Sequence, residues 1–165
     1  MIVVSNSTIL IGLAKIGKLD LLPKIFSKIY IPMEVFYELI GKGGKKPGSE
    51  KIKKVRWIQS KVVKDRTQVN LLTATLQKGE AEVLCLAKEL NADLVLLDEG
   101  KARKSAILAG FEVMGLIGLL ILAKELGLIK NVQSFIEELR RKRFRVSERI
   151  VTEALKKAGE IPAKI

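Results

Sequence analysis

Ala92–Glu99 reads ADLVLLDE, and this stretch decides the fold. Leu94 to Leu97 is an unbroken apolar run, followed directly by Asp98 and Glu99. A short continuous apolar run of this kind marks a strand buried on both faces, as in parallel sheets. In open α/β sheets, ligands sit beyond the carboxyl ends of the strands. Asp98 therefore stands where chemistry is expected; the other reading is a cap for the following helix.

Working outward, strand-like and helix-like segments alternate. Ile2–Val4 is a β-branched run ending in the polar cluster Ser5-Asn6-Ser7-Thr8, which suits a helix cap. Ile9, Leu10, Leu13 and Ile16 follow at helical spacing, and Leu19–Phe26 reads as a second short helix. Lys28–Ile31 reads as a strand, with Pro32 at a favoured helix start and Glu38 flanking the apolar stripe that follows. Gly41–Lys54 is a glycine- and lysine-rich stretch that fits neither phosphate-loop pattern, because Ser49 follows Gly48 and Lys46 replaces a required glycine. It reads as a mobile basic loop. Val55–Val63 suits a strand or an edge hairpin.

Gly79–Leu90 is amphipathic, with Val83, Leu84, Ala87 and Leu90 on one face. Its spacing puts Glu80 on that buried side and turns Glu82 to solvent. Glu80 equally suits a helix N-terminal acid facing the macrodipole. Beyond Asp98 come a helix marked by Ala102, Ala106 and Ala109, a strand over Phe111–Met114, and an apolar helix over Gly115–Leu126. Amphipathic helices close the chain from about residue 131. Between them, Arg140–Arg149 carries six basic residues around one aromatic.

Strands alternating with helices predict a three-layer α/β/α fold with a central, mostly parallel sheet. The 165 residues suit a single domain spanning 1–165, and a hydrophobic fraction of 48% suffices for its core. The absence of histidine excludes Ser-His-Asp chemistry and His-ligated zinc, and the single Cys85 excludes an intramolecular disulfide. Carboxylates with a hard, oxygen-loving metal remain the natural chemistry. A formal charge of +12 points to a polyanionic partner, nucleic acid first. No secretory signal is visible, and the longest apolar stretch, Val113–Ala123, is too short for a bilayer span, so a cytoplasmic protein without a membrane is expected. Asn6, Glu38, Glu80 and Asp98 are together explained by an acidic pocket at the strand ends that holds Mg²⁺ or Mn²⁺.

The same positions carry a resemblance. IVVSNSTILI, IPMEVFYE, GEAEVLCLA and LLDEGKAR occur in this order. Together with FEVMGLIGLLILAKELGLI they resemble a PIN-domain protein, the ribonuclease fold of VapC-type toxins, within a little-characterised PIN-like subfamily. The resemblance covers about the whole chain. It implies catalytic carboxylates at Glu38, Glu80 and Asp98, with Asn6 and Glu99 completing a metal site. It also implies RNA as substrate, a small antitoxin partner and a homodimer. Asn6 stands where the family usually has aspartate, and an amide brings no negative charge to a metal. The implied function is Mg²⁺- or Mn²⁺-dependent RNA hydrolysis. The alternative is a PIN-like module that binds nucleic acid or a partner without effective catalysis. Ser7, Thr8, Lys42, Lys45, Lys46, Arg103, Arg140, Arg141, Arg143 and Arg145 are the expected contacts to RNA phosphates.

Overall fold

A computed structural model of the chain describes residues 1–41, 46–98 and 100–160. At its centre lies β1 (Val3–Ser5), buried at all three residues. The chain continues through α1 (Ser7–Lys15), α2 (Leu21–Phe26), β2 (Ile29–Pro32) and α3 (Met33–Ile40). Next come α4 (Ser49–Lys54), β3 (Ile58–Lys61), α5 (Arg66–Leu72), α6 (Lys78–Glu89) and β4 (Leu94–Leu96). Then follow α7 (Lys101–Leu108), β5 (Val113–Met114), α8 (Leu116–Glu125), α9 (Gln133–Arg141) and α10 (Glu148–Lys157).

The strands form one sheet in the order β3-β2-β1-β4-β5, and every pairing is parallel. Helices flank the sheet in a three-layer α/β/α arrangement. Continuous apolar strands suit this position, because both faces are covered. Val3, Val4, Val95 and Leu96 have no exposed surface. Removing a side chain of this kind to alanine costs ~2–5 kcal/mol for a leucine. Val3, Val4 and Ser5 lie opposite Leu94, Val95 and Leu96, so β1 and β4 end side by side. The Asn6 N–H then donates to the Leu96 carbonyl at 3.2 Å. Among the described residues no helix is long and apolar enough to cross a membrane.

The structure changes one local expectation, resolves a second and adds an element. The stretch expected as a basic loop contains α4, because Ser49 and Ile52 are buried and Lys51 pairs with Asp20 at 2.8 Å. Gly48 starts it at φ 78°, where a Cβ would lie 2.8 Å from that of Ala14. The segment Val55–Val63 supplies the parallel edge strand β3 rather than a hairpin. Finally, α5 has no counterpart in the apolar pattern, since Val69 is its one buried residue. It is started by Asp65, whose carboxylate accepts from the Gln68 N–H at 3.0 Å.

The C-terminal helices are joined through Glu160. Its carboxylate accepts from the N–H groups of Val132 (2.8 Å) and Gln133 (3.0 Å) and meets Lys124 at 3.0 Å. Burial pushes this carboxyl up, but the two N–H donors and Lys124 outweigh it and hold it below its ordinary value of 4.5. A depressed carboxyl stabilises the fold above its unfolded pKa, and that contribution is lost as pH falls through the folded value. Glu160→Gln should therefore lower the melting temperature by several degrees at neutral pH, corresponding to about 1–2 kcal/mol. The gap from wild type should close as the pH is taken well below 4.5. Thermal melts of both proteins across that range check it.

Candidate metal centre and nucleic-acid interface

Asn6 follows β1 immediately and is 9% exposed. Its amide oxygen accepts from the Ile9 N–H at 3.1 Å, so it caps α1. The neighbouring Ser7 hydroxyl donates to Glu38 Oε2 on α3 at 2.6 Å. Glu38 also lies against the first turn of α6, where a Cβ on Gly79 would clash with Oε1. The partial positive charge of that helix start favours a carboxylate. The end of β1, the flank of α3 and the start of α6 thus meet around Glu38.

Asp98 lies just past β4, half-buried. Its Oδ1 accepts from the Leu116 N–H at 3.0 Å, so it holds the first turn of α8. Arg103 on α7 donates to the Leu97 carbonyl at 2.9 Å. A Cβ on Gly115 would stand 3.1 Å from both Asp98 Oδ1 and Arg103 Nη1. Gly115 leaves the room these two groups use.

Of the glutamates near the start of α6, Glu82 differs from expectation and Glu80 takes the N-terminal role. Glu82 does not face solvent: it is 3% exposed, with Arg66 of α5 at 3.5 Å. Glu82, Cys85 and Glu89 form one stripe towards α5, and Glu89 accepts from the N–H groups of Lys64 and Asp65. Burial, with the charges of Asp65 and Glu89, pushes the Cys85 thiol up to about 11. Two residues along a helix turn by about 200°, so Glu80 points to nearly the opposite side, away from α5. Glu80 is half-buried rather than deep, and its Oε2 accepts from the Gln77 N–H at 3.2 Å in a capping box.

Two cavities share Asp98 as a wall. One, of about 460 Å³, is lined by Arg103 together with Arg149 and Lys157 of α10. The other, of about 390 Å³, is lined by Thr8, Lys15, Arg143 and Arg145. Of the expected phosphate contacts, Thr8, Arg103, Arg143 and Arg145 are thus brought to Asp98. Arg140 is committed elsewhere, to Glu148 at 2.7 Å and the Val146 carbonyl at 3.3 Å. Arg141 and Lys46 are exposed but line neither cavity. Lys42, Lys45 and Glu99 lie outside the described residues. The pattern of the chain did not single out Lys15, Arg149 and Lys157. Arg149 lies within the basic run Arg140–Arg149, and its eight-residue spacing to Lys157 returns to one helix face.

The PIN-domain family model matches residues 2–160. The chain belongs to the PIN-domain family. No curated protein matches it significantly.

PIN domains are a nuclease-like fold that typically depends on a divalent metal. The donors at this PIN-domain mouth have the right chemistry, since Asn6, Glu38, Glu80 and Asp98 all present oxygen. Their arrangement is open. Among the described residues no three Asp, Glu or Cys side chains converge as a metal ion requires. The expected three-carboxylate cluster is therefore not gathered: Glu38 is held by Ser7, Asp98 by Leu116 and Glu80 by Gln77. Gly79→Ala tests the first of these restraints. Its Cβ would collide with Glu38 Oε1, the end of a flexible side chain, while alanine itself favours the helix. We expect a melting temperature within a few degrees of wild type and, in a crystal structure, a Glu38 carboxylate turned away from Ser7.

Proposed function

We propose that this PIN-domain chain is a metal-dependent ribonuclease that hydrolyses RNA phosphodiesters, weakened at Asn6. The observation that supports it best is Asp98, a carboxylate at a strand end that walls two cation-lined cavities. Asn6, Glu38, Glu80 and Asp98 would hold Mg²⁺ or Mn²⁺, with Glu99 beside Asp98. When bound, the ion supplies Lewis-acid activation of water and neutralises phosphate charge. Ser7 orients Glu38, and the Leu116 N–H orients Asp98. Glu80 joins by releasing the Gln77 N–H. With no histidine in the chain, one of these carboxylates would take the proton from the attacking water. Thr8, Arg103, Arg143 and Arg145, which line the two cavities, would contact phosphates. The same reading takes residues 1–165 as one cytoplasmic domain, homodimeric and restrained by a small antitoxin.

One observation favours a second reading, a PIN-like binding module without effective catalysis. The Asn6 oxygen is already used by the Ile9 N–H, and the amide carries no charge. Cleavage of a fluorescent single-stranded RNA in Mn²⁺ separates the two. On the nuclease reading wild type cuts, Asp98→Ala loses at least about a hundredfold, and Asn6→Asp gains. Activity in Asn6→Asp alone would make the natural chain the binding module. Equal rates in Asp98→Ala and wild type would remove Asp98 from the chemistry.

A further inference from the structure

We propose that a polynucleotide crosses Asp98 through both cavities, held by α10 and the linker between α9 and α10 rather than by the lysine-rich stretch before α4. This path rests on the nuclease reading only for where the scissile bond lies.

Charge carries the first part of the argument. Lys15, Arg103, Arg143, Arg145, Arg149 and Lys157 surround the two cavities, against the acids Asp98 and Glu153. Two cations of the same segment are compensated, Arg140 by Glu148 and Lys142 by Glu138. Among the described residues Arg143, Arg145, Arg149 and Lys157 form no ion pair. Uncompensated cations on both sides of one carboxylate suit a chain of regularly spaced phosphates.

The linker is also fixed in place. A Cβ on Gly12 of α1 would stand 2.9 Å from Phe144 Cε2, so the ring packs directly on that glycine. Lys15 Nζ donates to the Lys142 carbonyl at 3.2 Å, and Lys142 Nζ donates to the Lys15 carbonyl. Arg140 holds the other end through Glu148 and the Val146 carbonyl. Cations carried on an ordered segment lose less freedom when they bind.

Arg143 supplies an independent observation. It has φ 62°, in the turn where the Phe144 N–H returns to the Leu139 carbonyl at 2.9 Å. That position after a helix favours glycine. An arginine there accepts a strained backbone and reaches the cavity beside Asp98, as expected where strain is retained for a site.

Fluorescence anisotropy of fluorescein-labelled oligouridylate, in EDTA so that nothing is cut, tests the path. We expect Arg149→Gln/Lys157→Gln and Arg143→Gly/Arg145→Gln each to weaken binding at least about tenfold. Each should also flatten the slope of log K against log salt by about 0.7 per contact removed. Lys46→Gln should change affinity less than twofold. Arg143→Gly alone should melt above wild type, which separates lost binding from lost folding. Wild-type affinity in both double variants, an equal loss in Lys46→Gln, or displacement by polyglutamate as effective as by unlabelled oligouridylate would overturn the path. If the double variants bind normally while RNA is cut in an Asp98-dependent way, the path fails and the nuclease reading stands. If binding needs both cavities and no cleavage is found, the path stands with the binding module.

Discussion

The parallel pairing of β1 with β4 sets everything else. Once Val3, Val4 and Ser5 lie opposite Leu94, Val95 and Leu96, the two strands end together. The residues just beyond, Asn6 and Asp98, then share one mouth of the sheet. Side-chain direction alternates along a strand, so a one-residue slip would exchange the side chains between the two faces, each packed against its own helices. The buried pairing is therefore strongly specified, and the position of the polar residues follows from it. Glu38 joins through Ser7, and the start of α8 joins through Asp98.

The mouth must also manage charge. Two carboxylates 4 Å apart repel by roughly 4 kcal/mol at an effective dielectric near 20. A hydrogen bond to a charged group returns ~1.5–3 kcal/mol. Single donors can hold separate carboxylates, but they do not assemble three at one point. The protein meets this constraint by giving each acid its own donor: the Ser7 hydroxyl, the Leu116 N–H and the Gln77 N–H. A divalent cation changes the balance, since it replaces repulsion with coordination. Asn6, an uncharged amide, adds no negative charge to the mouth.

Much of this was legible in the chain. The buried strand ending in Asp98, the first strand ending in Asn6, and the helix begun by GEAE follow from apolar runs and spacing. What failed was tertiary. A helical wheel for α6 cannot know that α5 covers the side bearing Glu82, and α5 is too short to show a stripe, with Val69 buried and Leu71 exposed. The α4 segment was hidden by its glycines and lysines, although Ile52 anchors it. Lys15 and Arg143 line one cavity from positions far apart in sequence, a convergence no local pattern encodes. Arg140 looked equivalent to its neighbours until Glu148 claimed it.

The central proposal is that the strand-end mouth around Asp98 would gather its oxygen ligands when a divalent cation binds. Anomalous diffraction from crystals grown in Mn²⁺ tests it most directly. The account predicts a manganese peak bonded to Asp98 and Glu38, with Glu80 released from Gln77. No peak, or a peak away from this mouth while the ion is bound elsewhere, would contradict it.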